Sequence, residues 1–249
     1  MCNAKKPNIQ MKPEIKLNIS PTKSDFEKIE KWLLDEHNSL NEGFYCNWTI
    51  IEKAYSNKEF VTIDLSGEPV GFIVWSKGEI TAEIDILEIK PDLRGKGFGK
   101  HFYNQFSEYL KLQKIVAIKL FCSPRESENF WKKLGFIKCP KRGFSESDLT
   151  YYKPLIEVLT FSNSSTEHKI ELWDVEPYQA KNKSPTWTWY VELSTERLRK
   201  PIIQPCNCNW NLRWSKNGTV IKEDKIKYFS SNENRIEYSS FLYIEKLIE

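Results

Sequence analysis

The sequence predicts an α+β chain in two parts, with helices and strands interleaved over residues 13–155 and a mostly β part over 156–249. Three observations predict it. Amphipathic helical periodicity and short β-rich runs alternate up to about residue 155. A glycine-rich stretch, Arg94-Gly95-Lys96-Gly97-Phe98-Gly99-Lys100, joins a strand to a helix. Beyond residue 156 the helical periodicity fades and only β-rich runs remain.

Met1 to Lys12 is polar, lacks the apolar run of a secretory signal and is expected to be a disordered leader. Glu14 to Ile19 alternates ahead of Ser20-Pro21 and reads as a first strand. Ser24 is a candidate cap for a helix from Asp25 to Glu36, with Phe26, Ile29, Trp32 and Leu33 on one face. An aromatic segment, Gly43 to Trp48, precedes a shorter helix through Ile51 and Ala54. Strands follow at Phe60 to Leu65 and Val70 to Trp75, joined by Ser66-Gly67-Glu68-Pro69, and then at Ala82 to Ile89. After the glycines, Phe98, Phe102, Phe106 and Leu110 recur at helical spacing. Ile115 to Cys122 forms a strand, Ser123-Pro124 opens a helix through Trp131, and Gly135 ends it. Phe136 to Cys139 and Leu149 to Leu155 close the first part.

The second part is read as strands at Ile156 to Phe161, Ile170 to Val175, Thr186 to Leu193, Asn209 to Trp214, Thr219 to Phe229 and Ile236 to Ile244. Lys216-Asn217-Gly218 is a hairpin signal. This part holds five of the nine tryptophans, which suit either a sandwich or barrel core or an aromatic recognition surface.

The formal net charge is +3, and residues 156–249 hold 13 basic and 13 acidic side chains, so the excess lies in the first part. So weak a charge argues against a nucleic-acid partner. No run approaches the roughly 18 apolar residues of a membrane span, which argues against a membrane role. The six cysteines are scattered without a C-x-x-C pair, as expected of reduced thiols in the cytoplasm. Cys206-Asn207-Cys208 has no second ligand pair, so no metal is expected.

Glycines at 95, 97 and 99 let the backbone turn several N–H groups toward one point, and the helix that follows adds its own unpaired donors. Such a construction binds phosphate. A P-loop requires G-x-x-x-x-G-K-[ST], which the Gly95–His101 spacing fails; a dinucleotide-binding loop requires G-x-G-x-x-G, which Gly95-Lys96-Gly97-Phe98-Gly99 also fails.

Arg94-Gly95-Lys96-Gly97-Phe98-Gly99 resembles the [RQ]-x-x-G-x-[GA] acetyl-CoA motif of the GNAT superfamily of N-acetyltransferases. Leu87 to Pro91 is similar to the preceding strand and turn. Asn129 to Phe136 resembles the family's F-Y-x-K-x-G-F helix end, and Tyr151-Tyr152-Lys153 its last strand. The resemblance spans about residues 13–155 and implies a mixed central sheet flanked by helices. It implies an acetyl-CoA-dependent N-acetyltransferase moving an acetyl group to a primary amine of a small molecule, peptide or protein by direct attack in a ternary complex. Coenzyme A is expected in a splay between the strands Ala82–Ile89 and Ile115–Cys122, its pantetheine arm pairing with Leu87, Glu88 and Ile89. Its pyrophosphate is expected on Gly95, Gly97, Phe98 and Gly99, with Arg94, Lys96 and Lys100 offsetting charge and Trp131 packing against the cofactor or the core.

Deprotonating an amine calls for a general base. Glu83 stands where histone-modifying relatives carry a catalytic glutamate; Asp85 would share its face by strand alternation, and Glu88 would point the other way. All three could equally line the solvated side of a sheet. The family's usual tyrosine acid is replaced by Trp131 and an upstream asparagine by Pro124, leaving Cys122, Ser123, Tyr103 or solvent as proton donor. Phe44, Tyr45 and Trp48 would line the acceptor site or fill the core. The second reading is a non-catalytic CoA-binding module whose C-terminal part binds a partner or ligand. That part, residues 156–249, resembles no named family and is expected to serve substrate selection, partner docking or homodimer formation.

Overall fold

The computed structural model describes residues 14–143, 147–160, 166–229, 236–237 and 240–248. The leader expected over residues 1–12 lies outside them. The fold class is α+β, and the chain forms two compact units, Met1–Ile115 and Val116–Glu249.

The first unit runs β1 (Ile15–Asn18), α1 (Lys23–Leu40), a 3-10 turn at Tyr45–Asn47, α2 (Trp48–Ser56), β2 (Phe60–Leu65), β3 (Glu68–Lys77), β4 (Thr81–Ile89), a 3-10 turn at Pro91–Leu93, and α3 (Phe98–Leu112). Its four strands pair in sequence order, each antiparallel to the last. Helix α1 starts two residues earlier than expected because Thr22, not Ser24, is the cap. The Thr22 hydroxyl accepts the Asp25 N–H and the Asp25 carboxylate accepts the Thr22 N–H, a reciprocal box. The expected turn shrinks to Ser66-Gly67, with φ of 52° and 87°, and Glu68 and Pro69 join β3.

One face of this sheet, with Phe60, Phe72, Val74 and Ile86, packs on Phe26, Ile29, Trp32 and Leu33 of α1 and on Ile51 and Ala54 of α2. On the other face Trp75 meets the edges of Phe106 and Tyr109 of α3 at 5.5 and 6.3 Å. Between Trp75↔Ile84 and Val74↔Ile86 the register slips by one residue, so Asp85 is a β-bulge. The slip overturns simple alternation. Glu83, Ile86 and Glu88 oppose Ser76, Val74 and Phe72 and share the α1/α2 face, whereas Ile84, Leu87 and Ile89 share the α3 face. Glu88 therefore points with Glu83, not away from it.

The second unit opens with β5 (Ala117–Phe121), a 3-10 turn at Arg125–Ser127, α4 (Glu128–Lys133), β6 (Ile137–Lys138) and β7 (Thr150–Pro154), with β7 antiparallel to both β5 and β6. Gly135, at φ 88°, follows the last turn of α4 as expected.

Then come β8 (His168–Leu172), α5 (Pro177–Ala180), β9 (Trp187–Val191), β10 (Leu193–Ser194), β11 (Arg197–Pro205), β12 (Asn211–Lys216), β13 (Thr219–Lys225), β14 (Ile236–Glu237) and β15 (Phe241–Lys246). They form two antiparallel sheets, ordered β10-β11-β15-β14 and β13-β12-β8-β9. Both contribute to one core, through Ile202, Leu242 and Ile244 on one side and Ile170, Leu212 and Trp214 on the other. The arrangement is a sandwich. Trp173, Trp189, Trp210 and Trp214 are buried, and Trp187 stacks on Trp210 at 5.6 Å. The tryptophans are core residues, which removes the aromatic-surface reading.

Asn217 and Gly218 both have positive φ, as the hairpin signal requires. The strand expected at Ile156 to Phe161 does not form over residues 157–160, where the Leu159 N–H bonds the Pro201 carbonyl instead; Phe161 lies outside the described residues.

Candidate functional site

The strand β4, the turn after it and the start of α3 build the candidate site. Pro91 opens a 3-10 turn in which the Leu93 N–H bonds the Lys90 carbonyl and the Arg94 N–H the Pro91 carbonyl. Gly95 and Gly97 follow with φ of 74° and 88°, conformations that glycine adopts without the Cβ penalty. Open space lies where a Cβ would sit on either. Gly97 is the N-cap of α3, and no side chain caps that end. The helical bond from the His101 N–H to the Gly97 carbonyl leaves the N–H groups of Phe98, Gly99 and Lys100 as unpaired first-turn donors. No acid stands in this turn, and Lys96 and Lys100 are exposed beside it. A 15-residue helix with such an end presents donors and positive partial charge to an anion.

Arg94, expected to face phosphate, has its guanidinium turned back toward the strand. Its Nε donates to the Ile89 carbonyl at 2.9 Å and to Glu88 Oε1 at 3.1 Å, and its Nη2 lies 2.9 Å from Glu88 Oε1 and 2.7 Å from Glu36 Oε1. Glu88 Oε1 also accepts the Ile89 N–H at 3.0 Å. Burial pushes the Glu88 carboxyl above its ordinary range, and the Arg94 charge offsets only part of that. Glu36 belongs to the buried face of α1, with its side chain 1% exposed. Sequence reasoning missed it. The signal was its place on the apolar stripe, two turns beyond Ile29 and one beyond Leu33.

Of the other acids, Glu83 is half-buried and Asp85, at the bulge, is exposed. Leu87 is half-buried and Ile89 buried on the α3 face. Phe44, Tyr45 and Trp48 are all partly buried against the α1/α2 core, Trp48 lying 4.8 Å from Phe26 and stacking on Tyr45 at 6.1 Å. A Cβ on Gly43, just before them, would come within 2.9 Å of Glu36 Oε2, so a side chain there would require the carboxylate to shift.

In the second unit, Trp131 is buried edge-on to Phe130 at 5.0 Å and to Phe136 at 5.2 Å. Cys122 there and Tyr103 on α3 of the first unit are buried as well, and burial raises the pKa of each, which makes them weaker acids. Among the described residues no group of three or more His, Cys, Asp or Glu side chains is placed to hold a metal, and no helix is long and apolar enough to cross a membrane.

Residues 26–136 match the family model described as Acetyltransferase (GNAT) family, and this part of the chain is a GNAT-family domain. The C-terminal sandwich lies outside that match. An uncharacterized N-acetyltransferase of Methanocaldococcus jannaschii is 33% identical over 87 residues, which cover 31% of this chain and 38% of that protein. The chain thus spans little more than a third of that relative. Among solved structures, the PaiA N-acetyltransferase of Thermoplasma acidophilum in complex with coenzyme A is 21% identical, covering 58% of this chain and 99% of its own, with a TM-score of 0.44. A GNAT-family acetyltransferase of Staphylococcus aureus Mu50 is 21% identical over 57% of this chain and 100% of its own, with a TM-score of 0.45.

Proposed function

We propose that residues 13–155 are an acetyl-CoA-dependent N-acetyltransferase domain acting on a primary amine of a small molecule, peptide or protein. The observation that carries this reading is the uncapped, acid-free N-terminus of α3 behind two positive-φ glycines. The N–H groups from Gly95 to Gly99 would hold the pyrophosphate, with Lys96 and Lys100 beside them, and the β4 backbone at Leu87, Glu88 and Ile89 would hold the pantetheine arm. Bound acetyl-CoA would supply an activated thioester for direct attack by the acceptor amine in a ternary complex, the C–N bond forming as the C–S bond breaks and the coenzyme A thiolate leaving to be protonated by solvent.

A lysine-like ammonium has a pKa of about 10.4, so forming the free amine at pH 7 costs roughly 4–5 kcal/mol. Glu83 is assigned as the base that takes this proton, directly or through water. Its competitors are less suited: the near oxygen of Glu88 is engaged by Arg94 and the Ile89 N–H, and Asp85 sits at the bulge. Phe44, Tyr45 and Trp48 would form one wall of the acceptor site.

One observation favours the second reading, a CoA-binding module without turnover: the position of the family's tyrosine acid holds Trp131, locked between two phenylalanines. In either case residues 156–249 serve substrate selection, partner docking or homodimer formation, and the chain works in the cytoplasm, where its cysteines stay reduced. Calorimetry with coenzyme A, followed by acetyl-CoA consumption over a panel of amines and peptides, tests both. Binding with turnover supports the enzyme, binding without turnover on any acceptor supports the module, and no binding overturns both.

A further inference from the structure

We infer that Arg94 is a positioning residue, which with Glu36 clasps the α1 side of the unit to the glycine turn and leaves the phosphate charge to the loop N–H groups, Lys96 and Lys100. The inference rests on the CoA-binding reading above for its functional meaning but on geometry for its existence. Nε and Nη2 of Arg94 meet two carboxylates and the Ile89 carbonyl, all at 3.1 Å or less. A guanidinium presents its donors in a fixed fork, so a group held along that edge is oriented by it. Glu36 cannot be a solvated bystander: its side chain is 1% exposed on the face of α1 that carries Phe26, Ile29, Trp32 and Leu33. A buried carboxylate there requires a cation, and Arg94 is the cation found.

The same carboxylate touches a second element. Its Oε2 lies directly under Gly43, where a Cβ would come within 2.9 Å, and Gly43 leads straight into Phe44, Tyr45 and Trp48. One side chain therefore abuts the proposed acceptor wall through one oxygen and the residue that opens the glycine turn through the other. Disturbing either partner is expected to loosen both segments, 36–48 and 90–100.

Hydrogen exchange of the unliganded protein and calorimetry with coenzyme A, on the wild type and on Glu36→Gln, Arg94→Lys and the double variant, test the clasp. Thermal melts show which variants fold; Glu36→Gln is near-isosteric, and Arg94→Lys keeps the charge while removing the fork. Faster exchange is expected in both segments in each single variant. Coenzyme A affinity should fall about two- to tenfold in each, with the double variant no worse than the weaker single. Two results would overturn the clasp. One is unchanged exchange of segment 90–100 in Glu36→Gln; the other is tighter coenzyme A binding in Glu36→Gln, as expected if freeing Arg94 released a phosphate ligand. A wild type that binds no coenzyme A sinks the cofactor reading instead, and exchange alone then decides the clasp.

Discussion

Gln105 of α3 completes the hydrogen bonding of Leu17 on the edge strand β1. Its Oε1 accepts the Leu17 N–H at 2.6 Å, and its Nε2 donates to the Ile15 carbonyl at 3.3 Å. The amide thus stands in for a neighbouring strand along an edge that pairs with no other strand among the described residues. Gln105→Ala would leave both backbone groups without this partner, at a cost of about 1–3 kcal/mol. Urea unfolding followed by far-UV circular dichroism should show a lower midpoint with an unchanged slope.

Gly97 and Gly67 have nearly equal φ, 88° and 87°, and open space where a Cβ would stand. Alanine at either position should therefore destabilise by a similar amount, about 1 kcal/mol, from backbone strain alone. Only Gly97 caps α3 in the proposed pyrophosphate site. Gly97→Ala should weaken coenzyme A binding in calorimetry while Gly67→Ala leaves it unchanged. Equal losses in both would show that stability, not the site, was being measured.

Glu83→Gln should lower kcat by about 10²–10⁴ without a matching loss of coenzyme A affinity, if it is the general base. Asp85→Asn, two residues beyond on the bulge, should change kcat far less. The reverse order in steady-state kinetics would move the base to Asp85.

Burial raises the Glu88 carboxyl, so the sign of its linkage to stability is fixed. Its contribution is complete below the ordinary carboxylate pKa and is lost as pH climbs through the raised folded value. Glu88→Gln cannot ionise, so the melting temperature of the wild type should fall relative to this variant as pH rises from the ordinary carboxylate range toward neutral. A gap that widens in the opposite sense would mean that attraction to Arg94 outweighs burial.

The cysteines should separate by reactivity. Cys46 is exposed, whereas Cys206 is buried and its thiol is pushed up to about 12, chiefly by that burial. A thiol-specific chromogenic reagent at pH 8 should label Cys46 quickly and reach Cys206 only on unfolding. Prompt labelling of Cys206 in the native protein, read by peptide mass spectrometry, would place it on an accessible surface.

The parts of the fold that were legible in the sequence are those dictated locally. Phe60 to Leu65 is the strand β2 to the residue, Asn217-Gly218 turns as its φ preferences require, and the glycines at 95 and 97 occupy the positive-φ region. What escaped depends on partners distant in sequence. The strand β11 carries Pro201 and Pro205 among Arg197, Arg199 and Lys200, a composition that argues against a strand. It forms nonetheless because pairing with β15 breaks between Arg197 and Ile202, and Pro201 sits in that irregular stretch. Likewise, nothing near Arg94 in the chain announces Glu36, since the pair closes across 58 positions. Thr22 outcompeted Ser24 as cap because Asp25, three residues on, could return the bond.

The single residue inserted at Asp85 makes β4 two half-strands of opposite phase. Glu83 and Glu88, five positions apart, could not lie on one face of an unbroken strand. Deleting Asp85 alone would heal the pairing and leave the faces as they are, because Ile86 already opposes Val74 and Ile84 already opposes Trp75: Glu83 would stay on the side of Glu88, now four positions away on a regular strand. The bulge is therefore what lets β4 carry one extra residue, an exposed acid, without turning Glu83 off the α1 side of this sheet.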